Sequence, residues 1–292
     1  MSEPRFLTIR PYARLLTMLG EQLIRNERIA LIELIKNSYD ADSPWVKVSF
    51  VSFGKNYAIT PSSKIVIEDS GHGMSADIIE KHWLNPATPE KKRRKEKNRK
   101  TPSGRIIQGD KGIGRFAVLK LGRKIKIITR ATGENVEHVI DYDFSYYDDD
   151  FLTENGEEKD LFIDDLKVSL LTRPPESIVK SKISLGLRNL NRFAQGTRIE
   201  ISDLKGSWSE KKVSDVYEDI SRLESIFTQK INKESGRDFE VRIYKDNTPQ
   251  KLSEEYLEKL QFLFDEKAVF RVENGVYDEK KREFRFALNG TS

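Results

Sequence analysis

"ELIKNSYDAD", residues 33–42, is the stretch on which the reading of this chain turns. At 100° per residue Glu33, Asn37 and Asp40 fall at about 0°, 40° and −20°, a single polar stripe roughly 60° wide on a helix. Leu31, Ile32, Leu34, Ile35 and Tyr39 occupy the far side, about 100° to 260°, which predicts a helix packed on a sheet. Two acids and an amide on one stripe also describe a helix face that meets only water. The turns further along the chain shift the balance.

Downstream, "WVKVSFVSF" from Trp45 alternates as a strand and "KIVIED" is a second strand ending at Asp69. The turn "DSGHGM" then leads into a helix with Ser75 as its N-cap, ending near Asn85-Pro86 because the residue before proline disfavours the helical region. A strand-end carboxylate can accept a hydrogen bond from an exocyclic amine, and Gly71 and Gly73 let backbone approach a flat ring. An ordinary strand-to-helix turn would look the same. "GDKGIGRFA" sets Gly109, Gly112 and Gly114 before a further helix, where successive amides and the helix dipole suit phosphate, and Lys111 and Arg115 could add charge. A tight helix-entry turn is the plain alternative. Gly112 to Ala117 formally satisfies G-x-G-x-x-A, but only "RIIQ" precedes it as a strand and no acid ends the strand that follows, so the dinucleotide fingerprint fails. A Walker loop is absent.

Further on, "KIKIITR" and "VEHVIDYDF" form a hairpin around "ATGEN", "GTRIEISDL" is a strand, "SDVYEDISRLESIFTQKI" a helix and "DFEVRIYKD" a strand. Upstream, residues 11–42 form one helix or two, with the break at Gly20. The tail from about 249 to 292 carries two strand-like runs, "AVFRVEN" and "REFRFAL", and reads as the beginning of a second domain.

Composition sets the outer bounds. With no cysteine among 292 residues, disulfides, thiolate metal sites and a thiol nucleophile are excluded, and the longest apolar runs are far too short to span a bilayer. A cytoplasmic protein without a membrane span is expected. The formal charge is only +4, yet 34% of residues are charged and they are unevenly placed: residues 91–100, "KKRRKEKNRK", are basic and 141–165 are acidic. Neither block has an apolar period, so both are expected as exposed loops or insertions.

Taken in order, "ELIKNSYDA", "DSGHGM", "GDKGIGRFA" and "GTRIEISDL" resemble the four ATP-binding motifs of the GHKL superfamily, which groups gyrase, the Hsp90-type chaperones, histidine kinases and MutL. The resemblance covers about residues 10–245. It implies an α+β Bergerat sandwich: a mixed sheet with helices on one face and nucleotide on the helical side. It implies ATP and Mg²⁺ as cofactors, Glu33 as the general base that polarises water, and Asn37 as the Mg²⁺ ligand, with Asp40 organising that end. Asp69 would take the adenine amino group, Gly71, Gly73 and Met74 would shape its pocket, and Thr197 would support Asp69. A lid from about 85 to 114 would bring Gly112, Ile113 and Gly114, with Lys111, to the phosphates. The domains expected are 1–248, interrupted by an acidic insertion at about 144–194, and a transducer-like extension over 249–292. Within the superfamily the pattern looks most like the Hsp90 and MutL ATPases, which implies slow hydrolysis and a nucleotide-dependent homodimer closed through the N-terminal arm. The alternatives are a histidine-kinase-like ATP-binding module and a nucleotide-gated DNA-processing or defence scaffold, with DNA contacted by the 91–100 block. His72, His82 and His138 are scattered and expected to be non-catalytic.

Overall fold

The computed structural model describes residues 6–85, 100–109, 114, 117–186, 188–221, 239–252, 270–278 and 281–290. It divides into two compact units, Met1–Gln250 and Lys251–Ser292. Among the described residues no helix is long and apolar enough to cross a membrane.

The larger unit is built on an eight-stranded mixed sheet. Its strands are β1 (Trp45–Val51), β2 (Lys64–Asp69), β3 (Gly122–Arg130), β4 (Glu137–Asp143), β7 (Ser169–Arg173), β10 (Gly196–Leu204), β11 (Glu240–Lys245) and β12 (Thr248–Pro249). The numbering leaves room for two hairpins outside the sheet, β5–β6 (Thr153–Glu154, Glu157–Glu158) and β8–β9 (Ser181–Leu185, Arg188–Arg192). The strand order is β12-β11-β1-β2-β10-β3-β4-β7. Among the described strands of the sheet only the β1–β11 pair is parallel.

Register explains the core. Ile243, Val48, Ile67, Ile199, Ile127 and Ile140 are directly opposite one another across six strands. All six are buried. Because side chains alternate between faces, the neighbouring row, Arg242, Lys47, Glu68 and Arg198, points to the opposite side. Helices α1 (Arg14–Leu23), α2 (Glu27–Asp40), the short α3 (Ala76–Ile78), α4 (Ala117–Leu121) and α5 (Glu210–Ile220) complete the unit. Helix α2 lies on β1 and β2 between α4 and α5, burying Leu31, Ile32, Leu34 and Ile35. This is the α+β, one-sided sandwich expected of the sequence.

Some expectations need correction. The break between α1 and α2 is not at Gly20: α1 runs through it, and α2 starts where the Asn26 side chain accepts a hydrogen bond from the Ile29 amide at 3.0 Å. An N-cap satisfies an otherwise orphaned donor, whereas one helical glycine costs only about 1 kcal/mol. Ser75 does cap α3, but the helix continues as a π-turn over Ile79–Trp83.

The acidic insertion is not a solvated loop. Phe144, Phe151 and Leu161 bury themselves with Ala13 in a cluster of their own. Turns rather than a regular period space these residues, so periodicity misses them. Residues 10–17 lie along this segment: Arg10 binds Asp164 and Asp165 at 3.0 Å each and stacks over Phe162, and the Ala13 amide donates to the Leu161 carbonyl at 2.8 Å. The rest of the insertion adds β7 to the sheet edge and lays β8–β9 against the polar face, where Arg192 reaches Glu68 at 2.9 Å.

In the smaller unit the two strand-like runs pair as the antiparallel hairpin β13 (Phe270–Asp278) and β14 (Glu283–Gly290).

Candidate functional site

The end of β2 and the sheet-facing side of α2 meet at Asp69. Its carboxylate is buried and accepts three hydrogen bonds from the protein. The Ser38 hydroxyl donates to Oδ2 at 2.9 Å, and the amides of Gly71 and Thr197 donate to Oδ1 at 2.9 and 3.3 Å. A carboxylate has about four lone-pair positions. One, on Oδ2, is left for a ligand N–H. Burial pushes the Asp69 pKa up, against the opposing pull of the Gly71 amide, Ser38 and the Thr197 amide. Thr197 therefore supports Asp69 through its backbone, while its hydroxyl lies 3.1 Å from that of Thr129.

The glycines hold this corner closed. Gly73 has φ +65, and a Cβ there would collide with the Arg130 carbonyl, so the turn after β2 can press on the end of β3 only with glycine. A Cβ on Gly71 would come within 2.7 Å of Ala41. Met74 follows with its amide donated to the Thr129 hydroxyl at 2.9 Å.

On α2, Glu33 is half-buried. Lys36 Nζ lies 3.0 Å from its Oε1. Its other oxygen faces Gly114: a Cβ on that glycine would sit 3.1 Å from Oε2. Gly114 of the glycine motif therefore lies beside the candidate base. Asn37 follows on the same stripe. Lys111, Gly112 and Ile113 lie outside the described residues, as does most of the expected lid and the 91–100 block.

Asp40, expected to organise the metal end, meets backbone amides. Its two oxygens accept from the amides of Gln108 and Gly109 at 2.8 and 2.9 Å. It thereby ties the residues leading into the glycine motif to the end of α2.

The residue that sequence reasoning missed is Asp42. Left-handed at φ 56 and nearly inaccessible, it accepts from the hydroxyls of Thr101 and Ser103, from the Ser103 amide at 3.0 Å, and lies 3.3 Å from Nε2 of His72. Burial alone would raise its pKa; the Ser103 and Thr101 hydrogen bonds outweigh this and lower it. Arg105 completes the attachment, donating to the carbonyls of Ser43 and Tyr39 at 2.7 and 3.3 Å and stacking over the Tyr39 ring. The signal was present in the second acid of "DAD", but its partners lie about 60 residues away and nothing in the local pattern names them. His138 is buried against Thr172 and Glu134, a structural position.

A family model described as histidine kinase-, DNA gyrase B- and HSP90-like ATPase matches residues 25–167, which include Glu33, Asn37, Asp40, Asp69 and Gly114. This segment, about half of the chain, belongs to the GHKL superfamily. This match supports an ATP-binding domain. One relative is a protein of Herpetosiphon aurantiacus named "Putative type II restriction enzyme HgiDII", 24% identical over 250 residues, 85% of this chain and 33% of the relative. The chain thus spans a third of that relative's length.

Proposed function

We propose that this GHKL domain binds Mg-ATP and hydrolyses it slowly, as an Hsp90- or MutL-like switch. The observation that carries the reading is the closeness of Gly114 to Glu33: the carboxylate suited to orienting water lies beside the last glycine of a motif whose amides suit phosphate. Asp69 would accept the adenine amino group at its remaining lone pair, with Gly71, Gly73 and Met74 around it and Thr197 holding it from behind. Gly112, Ile113 and Gly114 would donate amides to the phosphates, with Lys111 adding charge. Asp40 would keep the glycine motif in register with α2.

The donor set fits Mg²⁺. Asn37, one helical turn after Glu33, offers a side-chain carbonyl oxygen, and a magnesium ion in a nucleotide site uses one or two protein oxygens, drawing the rest from phosphates and water. Asn37 would hold the ion, which would supply positive charge against that developing on the phosphates. Glu33 then needs only to hold a water in line. The N-terminal arm, with Phe6 92% and Ile9 94% exposed, is the surface through which two nucleotide-bound copies would pair.

The test is phosphate release from ATP by the wild type and Glu33→Ala. The variant should keep ATP binding and lose at least about 100-fold in hydrolysis, the usual contribution of a general base. A wild type that binds ATP yet releases no phosphate, alone or with DNA, would exclude hydrolysis. A second reading, an ATP-gated module of a DNA-processing enzyme, is favoured by the name of the Herpetosiphon relative. There the ATPase rate should rise on adding duplex DNA, and binding should weaken steeply with salt as counterions are released.

A further inference from the structure

Lys36, at about −60°, flanks the α2 stripe next to Glu33 and has no role in the reading above. Its ammonium lies on Oε1 of Glu33 at 3.0 Å, while Oε2 of the same carboxylate faces Gly114. The candidate base thus sits between a cation and the turn suited to phosphate. As a half-exposed i,i+3 pair this contact contributes little to folding. Its position matters more.

A triphosphate carries about four negative charges, of which one magnesium ion cancels two, so a further cation near the terminal phosphate stabilises the bound ligand. Of the described cations close to α2, Arg105 is committed to the carbonyls of Ser43 and Tyr39, Arg28 to Asp219 at 2.6 Å and Lys212 to Glu27 at 3.0 Å. Lysine is a compact charge on a flexible stem with three donors, able to pass from a carboxylate to a phosphate oxygen without backbone movement.

We propose that Lys36 is the side chain that distinguishes ATP from ADP, its ammonium leaving Glu33 to donate to the terminal phosphate and so releasing Oε1 to orient water. The assignment rests on the ATP-hydrolase reading. With ADP there is no third phosphate, and the ammonium stays on Glu33.

The experiment is titration calorimetry of wild type, Lys36→Met and Lys36→Arg with Mg-ADP and with a magnesium complex of a non-hydrolysable ATP analogue. Methionine keeps the length and helix propensity of lysine without its charge, and melting temperatures verify the fold. Losing a charge-assisted hydrogen bond should weaken the analogue by about 10-fold or more in Lys36→Met, leave ADP within about 2-fold, and be partly restored in Lys36→Arg. Equal weakening of both ligands, or of neither, overturns the role of Lys36 while leaving ATP binding intact. A wild type that binds neither ligand overturns the ATP reading and this assignment together.

Discussion

At the scale of single residues, Asp69 separates binding from folding. Asparagine there would still accept from the Gly71 and Thr197 amides through Oδ1, and the Ser38 hydroxyl can turn round to accept from the new NH₂. What changes is the position left for ligand, which becomes a donor facing a donor. Asp69→Asn should therefore fold but bind ATP at least about 10-fold more weakly, by calorimetry, as expected for a lost hydrogen bond to a charged group. The raised pKa gives the stability a sign. A carboxyl whose folded pKa lies above its unfolded value stabilises the fold below the unfolded pKa, and that contribution is lost as pH rises through the folded pKa. At pH 7 Asp69→Asn should accordingly be at least as stable as wild type. Unchanged ATP affinity would remove Asp69 from the adenine role. Gly73 gives the opposite kind of test. Gly73→Ala meets both a left-handed φ and the Arg130 carbonyl, and should cost at least about 2 kcal/mol, a fall of roughly 4–8 °C in melting temperature. Glu33, Asn37 and Asp69 were legible because helical spacing and strand ends are local. Asp42, Ser38 and Thr129 were not, because their importance lies in what distant segments bring to them.

At the scale of elements, α2 and the alternating strands were legible in their apolar periods, whereas the insertion was not. It is stitched in by polar contacts without period. Glu137, buried at the start of β4, accepts from the amides of Ser177 and Ile178 at 2.9 Å each and pairs with Arg173 at 2.8 Å. Burial alone would raise its pKa, but these partners outweigh it and hold the group below its ordinary value. With the folded pKa below the unfolded one, its stabilisation is present above the unfolded pKa, about 4.3, and is lost as pH falls through the folded value. Glu137→Gln should therefore be destabilised in urea by about 2 kcal/mol at pH 7, with the gap to wild type closing towards pH 3. A gap independent of pH would mean that the carboxylate charge is not what binds the 174–178 segment.

At the scale of the molecule, the exposed arm and the docked stretch behind it divide the N-terminus into a free part and a tethered part. Residues 10–17 are held by Arg10 and by the Ala13 amide, while Phe6, Leu7 and Ile9 remain exposed. The proposed dimer should then form with a non-hydrolysable ATP analogue and not with ADP, read as a doubling of mass in sedimentation. Replacing Phe6, Leu7 and Ile9 with serine should leave the monomer stable and abolish the doubling. A dimer that forms without nucleotide would contradict the switch. The one-sided sandwich was legible at this scale too, since one helix with a single apolar face needs a single sheet beneath it. The covering of the opposite face by β8–β9 was not, because short polar strands carry little pattern.

The last two residues of β2 are both carboxylates, and they face opposite ways. Glu68 is gripped by Arg192 and Arg198 on one side at 2.9 and 3.0 Å, and Asp69 by Ser38 on the other. A slip of one residue that set Ile67 in the place of Glu68 against β10 would leave Arg192 without its anion and turn Asp69 away from α2. The pair therefore acts as a proofreading mark for strand register: a misaligned sheet is penalised at the buried ion pair before any nucleotide arrives.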